Sequence, residues 1–149
     1  MTSGSAPGQT AVGDLVRELY EAAAAVRAEG DRAAASAGHS VARWQVLYML
    51  ARQPRTVPGV ARRLGLTRQS VQRTVDLLAR EGLLAGQTNP DHRRSPLYAL
   101  NAEGHRALRQ INAAAASWHR SVLAEFSADE LEHLRGLLGR ITRLARTES

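Results

Sequence analysis

Residues 65–75, GLTRQSVQRTV, set Arg68, Gln69, Gln72 and Arg73 around Val71 and Val75, which stand four residues apart. Guanidinium and carboxamide groups are the side chains that bond in pairs to base edges, arginine to guanine O6 and N7, glutamine to adenine N6 and N7. If Val71, Val75 and Leu78 turn inward at helical spacing, Arg68, Gln69, Gln72, Arg73 and Asp76 turn outward. A helix of this kind fits a DNA major groove, and its N-terminal residues enter deepest. Arg68, Gln69, Gln72 and Arg73 are therefore placed near base edges. Thr67 and Ser70, with the backbone N–H groups of the helix start, are placed near phosphate. Asp76 and Arg80 read as ordinary exposed polar residues. Some fifteen residues on, NPDHRRS sets His92, Arg93 and Arg94 in a turn-rich loop. A guanidinium at the tip of a hairpin can enter the narrow, electronegative minor groove.

The charge of the chain is concentrated in the same place. All 20 basic residues are arginine, and the net charge is +6. Residues 52–94 hold nine arginines against three acids, whereas the 11 arginines and 11 acids elsewhere cancel. An excess confined to one segment marks a surface that meets a polyanion.

Several other chemistries lack their residues. There is no cysteine, which removes disulfides, thiol catalysis, cysteine-ligated zinc and thiol oxidation sensing. His39, His92, His105, His119 and His133 include no pair at i, i+4, so no metal site is expected. No glycine-rich phosphate loop, nucleophile elbow or dense carboxylate cluster points to an enzyme or to a cofactor. The first ten residues, MTSGSAPGQT, have neither the basic start nor the apolar run of a secretion signal and read as a disordered lead-in. No segment approaches the roughly 20 apolar residues of a membrane span, so a soluble cytoplasmic protein is expected.

The elements that must position these residues follow from periodicity. Val12, Leu15, Val16, Leu19, Tyr20, Ala23 and Val26 give a first amphipathic helix, with Gly30 and Gly38 loosening the chain after it. VARWQVLYMLAR is a second helix stopped by Gln53-Pro54. TVPGVARRLG is a short third, with Pro58 in its first turn and Gly65 as its C-cap. Thr67 caps the fourth, which runs from about Arg68 to Glu81. LLAGQT and PLYAL then form a β-hairpin, and Asn101 caps a fifth helix. Leu108, Ile111, Ala115, Trp118 and Val122, and after Ser127 the set Leu131, Leu134, Leu138, Ile141 and Ala145, step by three and four. Such stripes need a partner helix. A second copy of the chain is the reading preferred over an intramolecular helical hairpin.

Two helices joined by a glycine turn and followed by a basic hairpin make a winged helix-turn-helix, mainly α with a small β-hairpin wing. Residues 41–101 form that lobe, and residues 11–37 and 102–147 supply dimerisation helices within one domain, 11–149. From Val41 to Leu108 the chain resembles the MarR family of transcriptional regulators, on the segments RWQVLYML, VARRLGLTRQSVQRTVDLLAREGLL, NPDHRR and LYALNAEGHRAL. The resemblance implies a homodimer formed by the first and last helices, a pseudo-palindromic double-stranded DNA operator, and repression relieved by a small hydrophobic or phenolic effector. The family's recognition-helix positions fall on Arg68 through Arg73. Its wing pattern Asp-x-Arg matches Asp91 and Arg93 literally. Counted back from Leu100-Asn101, however, it falls on His92 and Arg94, so either arginine can be the one in the minor groove. Trp44, Tyr48, Tyr20 and Trp118 are candidates for lining an effector pocket, or for ordinary core. The rival function is a winged-helix protein-interaction module without sequence-specific DNA readout.

Overall fold

Helix starts in this chain are fixed by side chains that accept orphan backbone N–H groups. Ser40 Oγ accepts from Arg43, Thr56 Oγ1 from Gly59 at 3.2 Å, Thr67 Oγ1 from Ser70 at 3.1 Å, and Asn101 Oδ1 from Gly104 at 2.9 Å. Ser127 and Glu130 form a capping box, Ser127 Oγ accepting the Glu130 N–H at 3.3 Å while the Glu130 carboxylate accepts the Ser127 N–H at 2.8 Å. The Ser127 N–H, together with the Ser127 hydroxyl that also donates to the same carboxylate at 2.8 Å, holds the Glu130 carboxyl below its ordinary pKa. In a computed structural model, which describes residues 7–147, these caps open α2 (Val41–Arg52), α3 (Val57–Leu64), α4 (Arg68–Arg80), α5 (Ala102–Ala114) and α7 (Ala128–Thr147). Helices α1 (Pro7–Ser36) and α6 (Ala116–Glu125) and strands β1 (Leu84–Gln87) and β2 (Leu97–Leu100) complete the fold. The architecture is mainly helical with one antiparallel hairpin.

The chain divides into two compact units, residues 1–115 and 116–149. In the first, the core is built from α2, α3, α4, the hairpin and α5, with Leu47, Leu78 and Ile111 fully enclosed and Val46, Val60, Val71 and Val75 around them. Ala34 brings the C-terminal half of α1 into it. Trp44 on α2 packs against this core and donates its indole N–H to Asn112 Oδ1 on α5 at 3.0 Å. The N-terminal half of α1 is different. Its apolar residues Val12, Leu15, Val16 and Tyr20 are exposed, Tyr20 by 75%. In the second unit Leu123, Phe126, Leu134, Leu137, Leu138 and Leu144 are exposed as well.

The hairpin pairs Leu84 with Leu100 and Gln87 with Leu97. Strand β2 has a second neighbour: Arg55, in the link before α3, donates its N–H to the Tyr98 carbonyl at 3.0 Å and accepts the Tyr98 N–H at 2.8 Å. That pairing anchors the wing beside the helix-turn-helix. At the far end of β2, Asn101 both caps α5 and donates to the Gly82 carbonyl at 2.7 Å, while its own N–H reaches the Leu83 carbonyl. Gly104, in the first turn of α5, lies directly on the Leu83 carbonyl. A Cβ there would overlap that oxygen and stand 3.3 Å from Leu100 Cβ, so only glycine lets α5 start this close to the strand.

Three features differ from the sequence expectations. The lead-in assigned to residues 1–10 gives way to helix from Pro7 onward, proline being well suited to a first turn, where its missing N–H costs nothing; residues 1–6 lie outside the described residues. Gly30 does not loosen the chain: α1 continues through it to Ser36. A Cβ at Gly30 would meet Val41 Cγ2 at 3.2 Å and the Trp44 ring at 3.4 Å, so this glycine allows close helix packing. The stripe from Leu108 to Val122 is not one helix, since the chain turns at Ala115 between α5 and α6.

Candidate nucleic-acid interface

The reading helix α4 is held by its apolar side. Val71, Val75 and Leu78 are buried, and at the turn before it Gly65 takes φ +65°, a left-handed conformation that glycine adopts without steric cost. Arg68, Gln69, Ser70 and Arg73 are exposed and Gln72 is half-buried. At its C-terminal end α4 is tied to α2 by an ion pair between Glu81 and the largely buried Arg43. His39 stands beside this pair, and burial together with the Arg43 charge lowers its pKa, Glu81 pulling the other way.

The wing tip has an internal frame that sequence reading missed. Asn89 is buried, donates its amide to the Ser95 carbonyl at 2.9 Å and accepts the Asp91 N–H at 3.1 Å. Ser95 N–H bonds to the His92 carbonyl at 2.9 Å. The Asn-Pro pair signalled a turn, but its span across six residues depends on the fold.

An open groove of about 480 Å³ runs between α4 and the wing. Arg68, Gln69, Gln72 and Arg73 line it from the helix, Arg94 and Ser95 from the wing, and Val57, Pro58, Pro96 and Tyr98 form its apolar floor. Five of the nine residues singled out for DNA contact thus share one surface. Thr67 and Ser70 stand at the α4 N-terminus, and their hydroxyls differ. Thr67 Oγ1 accepts the cap bond and keeps its hydrogen, whereas Ser70 Oγ donates its hydrogen to the Thr67 carbonyl at 3.0 Å. Arg93 and His92 are exposed at the tip and do not line the groove. Asp76, read from sequence as an ordinary exposed residue, accepts the Gln72 amide at 2.7 Å.

The aromatic candidates for an effector pocket each have their own surroundings. Trp44 is bonded within the core, Arg52 lies 5.9 Å from the centre of the Tyr48 ring, Tyr20 is exposed, and Trp118 packs 5.4 Å from His119 within α6. The aromatic residue of the groove is Tyr98. Among the described residues, no cluster of three or more His, Asp or Glu could hold a metal ion, and no helix is long and apolar enough to cross a membrane.

A capped helix-turn-helix with its polar face beside a basic hairpin, in a chain whose net charge sits on those elements, defines a winged helix-turn-helix protein. The family profile described as MarR family matches residues 37–95. An uncharacterized protein of Mycobacterium tuberculosis is 46% identical over 97 residues, which are 65% of this chain and 68% of that protein. Among solved structures, CouR from Rhodococcus jostii RHA1, bound to p-coumaroyl-CoA, has a TM-score of 0.75 at 25% identity, covering 86% of this chain and 91% of its own. Staphylococcus aureus MarR in complex with salicylate and kanamycin, 14% identical, shares the fold with a TM-score of 0.75 over 94% of this chain and 95% of its own. The chain belongs to the MarR family of transcriptional regulators.

Proposed function

We propose that two copies of this protein bind a pseudo-palindromic site in double-stranded DNA, each inserting α4 into a major groove and its wing into the flanking minor groove. The observation that carries this reading is the groove in which Arg68, Gln69, Gln72 and Arg73 of α4 meet Arg94 of the wing. Base edges fall to Arg68, Gln69, Gln72 and Arg73. Thr67 has a hydroxyl hydrogen to give to phosphate. Ser70 joins it only by releasing the Thr67 carbonyl. Arg94, on the groove side of the wing, is assigned to the minor groove between the two phosphate strands, with Arg93 and His92 as weaker, outer contacts at the tip. The exposed apolar stripes of α1 and α7 are the surfaces a second copy covers, because patches of this kind mark interfaces.

Regulation is read as repression released by a small hydrophobic or aromatic effector, supported by the p-coumaroyl-CoA bound in the CouR structure. Footprinting on the DNA upstream of the protein's own coding sequence, with and without aromatic acids and their thioesters, tests both parts. Protection of two half-sites about one helical turn apart, lost on adding one of these compounds, is the expected result. Protection of a single half-site, or none on any sequence, refutes the dimeric DNA reading. Protection that no such compound reverses refutes effector release.

A further inference from the structure

The exposed face of α4 carries a single acid, Asp76, on an element that otherwise presents arginine and glutamine to the groove. A carboxylate on a surface meant for a polyanion opposes binding everywhere along the duplex. It also has arginines within reach along the helix, Arg73 three residues before it and Arg80 four after. Yet among the described residues its bonding partner is the Gln72 amide, at 2.7 Å.

That partner choice fixes the carboxamide. A carboxylate has no hydrogen to give, so the Gln72 end that faces Asp76 is Nε2, and the untethered end is Oε1. Gln72 lines the groove between α4 and the wing. We infer that Asp76 is a specificity-determining positioning residue. It holds Gln72 so that a carbonyl oxygen is presented to the base edge, which selects a base with an exocyclic amine in the major groove, adenine before cytosine. Adenine gains two bonds, N6–H to Oε1 and the second Nε2 hydrogen to N7, whereas cytosine gains one through N4–H. Guanine O6 and thymine O4 would face Oε1 acceptor to acceptor. Without Asp76 the amide can turn end for end and accept either kind of base. This inference rests on the proposal that α4 reads base edges.

The experiment is selection from a randomised duplex DNA library with the full-length wild type and with Asp76→Ala, Asp76→Asn and Gln72→Ala. Asparagine keeps the size of the side chain but offers a donor as well as an acceptor, so Gln72 can turn either end toward it and the carboxamide is no longer fixed. Removing the charge should tighten binding to every duplex alike in both Asp76 variants, which serves as an internal control. The wild type should enrich adenine, then cytosine, by roughly tenfold over guanine and thymine at one symmetry-related position. Asp76→Ala and Asp76→Asn should flatten that position to within about threefold among the four bases, as Gln72→Ala does, with the other positions unchanged. A wild-type preference retained in Asp76→Ala overturns the inference. A wild-type preference retained in Asp76→Asn also overturns it, because a partner without hydrogens would then not be what orients the amide. A wild type that enriches no sequence removes base reading by α4 itself, a different failure from either of these.

Discussion

Arg94→Ala distinguishes the two wing arginines, because Arg94 lines the groove shared with Arg68 and Arg73 and Arg93 does not. Each phosphate neutralised on B-form DNA contributes about 0.9 to the slope of log K against log salt. A dimer presents two copies of Arg94, so the variant should lose about 1.8 from that slope if each guanidinium offsets one phosphate charge. Between about 50 and 200 mM salt, a fourfold range, the ratio of wild-type to variant affinity should then shrink by roughly 12-fold. Fluorescence anisotropy on a labelled random-sequence duplex measures this without knowledge of the operator, since the electrostatic part of binding is independent of sequence. Arg93→Ala, carried through the same titration, should change the slope by less than half as much. A flattened slope in Arg93→Ala with a wild-type slope in Arg94→Ala would refute the assignment made from the groove. A wild-type slope near zero would instead favour a protein partner over nucleic acid.

Two further outcomes concern stability. Gly104→Ala sets a helix-propensity gain of about 1 kcal/mol against overlap with the Leu83 carbonyl, and overpacking of this kind costs about 1 to 3 kcal/mol or more; a net loss is expected in urea unfolding, and a variant as stable as the wild type would show that α5 can shift freely from the hairpin. His39 is held below its ordinary pKa of 6.5, so the unfolded chain takes up its proton first; its share of stability is complete above pH 6.5 and falls away as pH drops through the lower folded value, and thermal unfolding of His39→Asn between about pH 7 and 5 should lack that share of the decline.

Much of the frame was legible because local chemistry fixes it. Thr67 and Asn101 announce helix starts by their side-chain oxygens, and Gly65 announces a stop that needs positive φ. The inward set Val71, Val75 and Leu78 also determines which side chains are left to face outward. What stayed hidden depends on groups distant in the chain. Gly30 looks like a breaker until Val41 and Trp44 are seen against it. Backbone pairing of Arg55 with Tyr98 leaves no mark in side-chain periodicity. The roles of Arg93 and Arg94 could not be separated by counting, because the loop before β2 accommodates two alignments and only the Asn89 frame fixes the turn. The Gln72–Asp76 bond had a readable signal, an amide four residues before a carboxylate on one helix face, and was passed over as ordinary surface.

Strand β2 is stitched along both margins, to β1 on one side and to Arg55 on the other. The root of the wing therefore behaves as a fixed bracket, and the Asn89 frame holds the turn above it, so that what stands outside both is the exposed arc of residues 90–94. Residues of that arc can be exchanged to retune contact chemistry while the span from helix to hairpin stays constant. A designer or a lineage could thus alter what the arm touches without recalibrating how far it reaches.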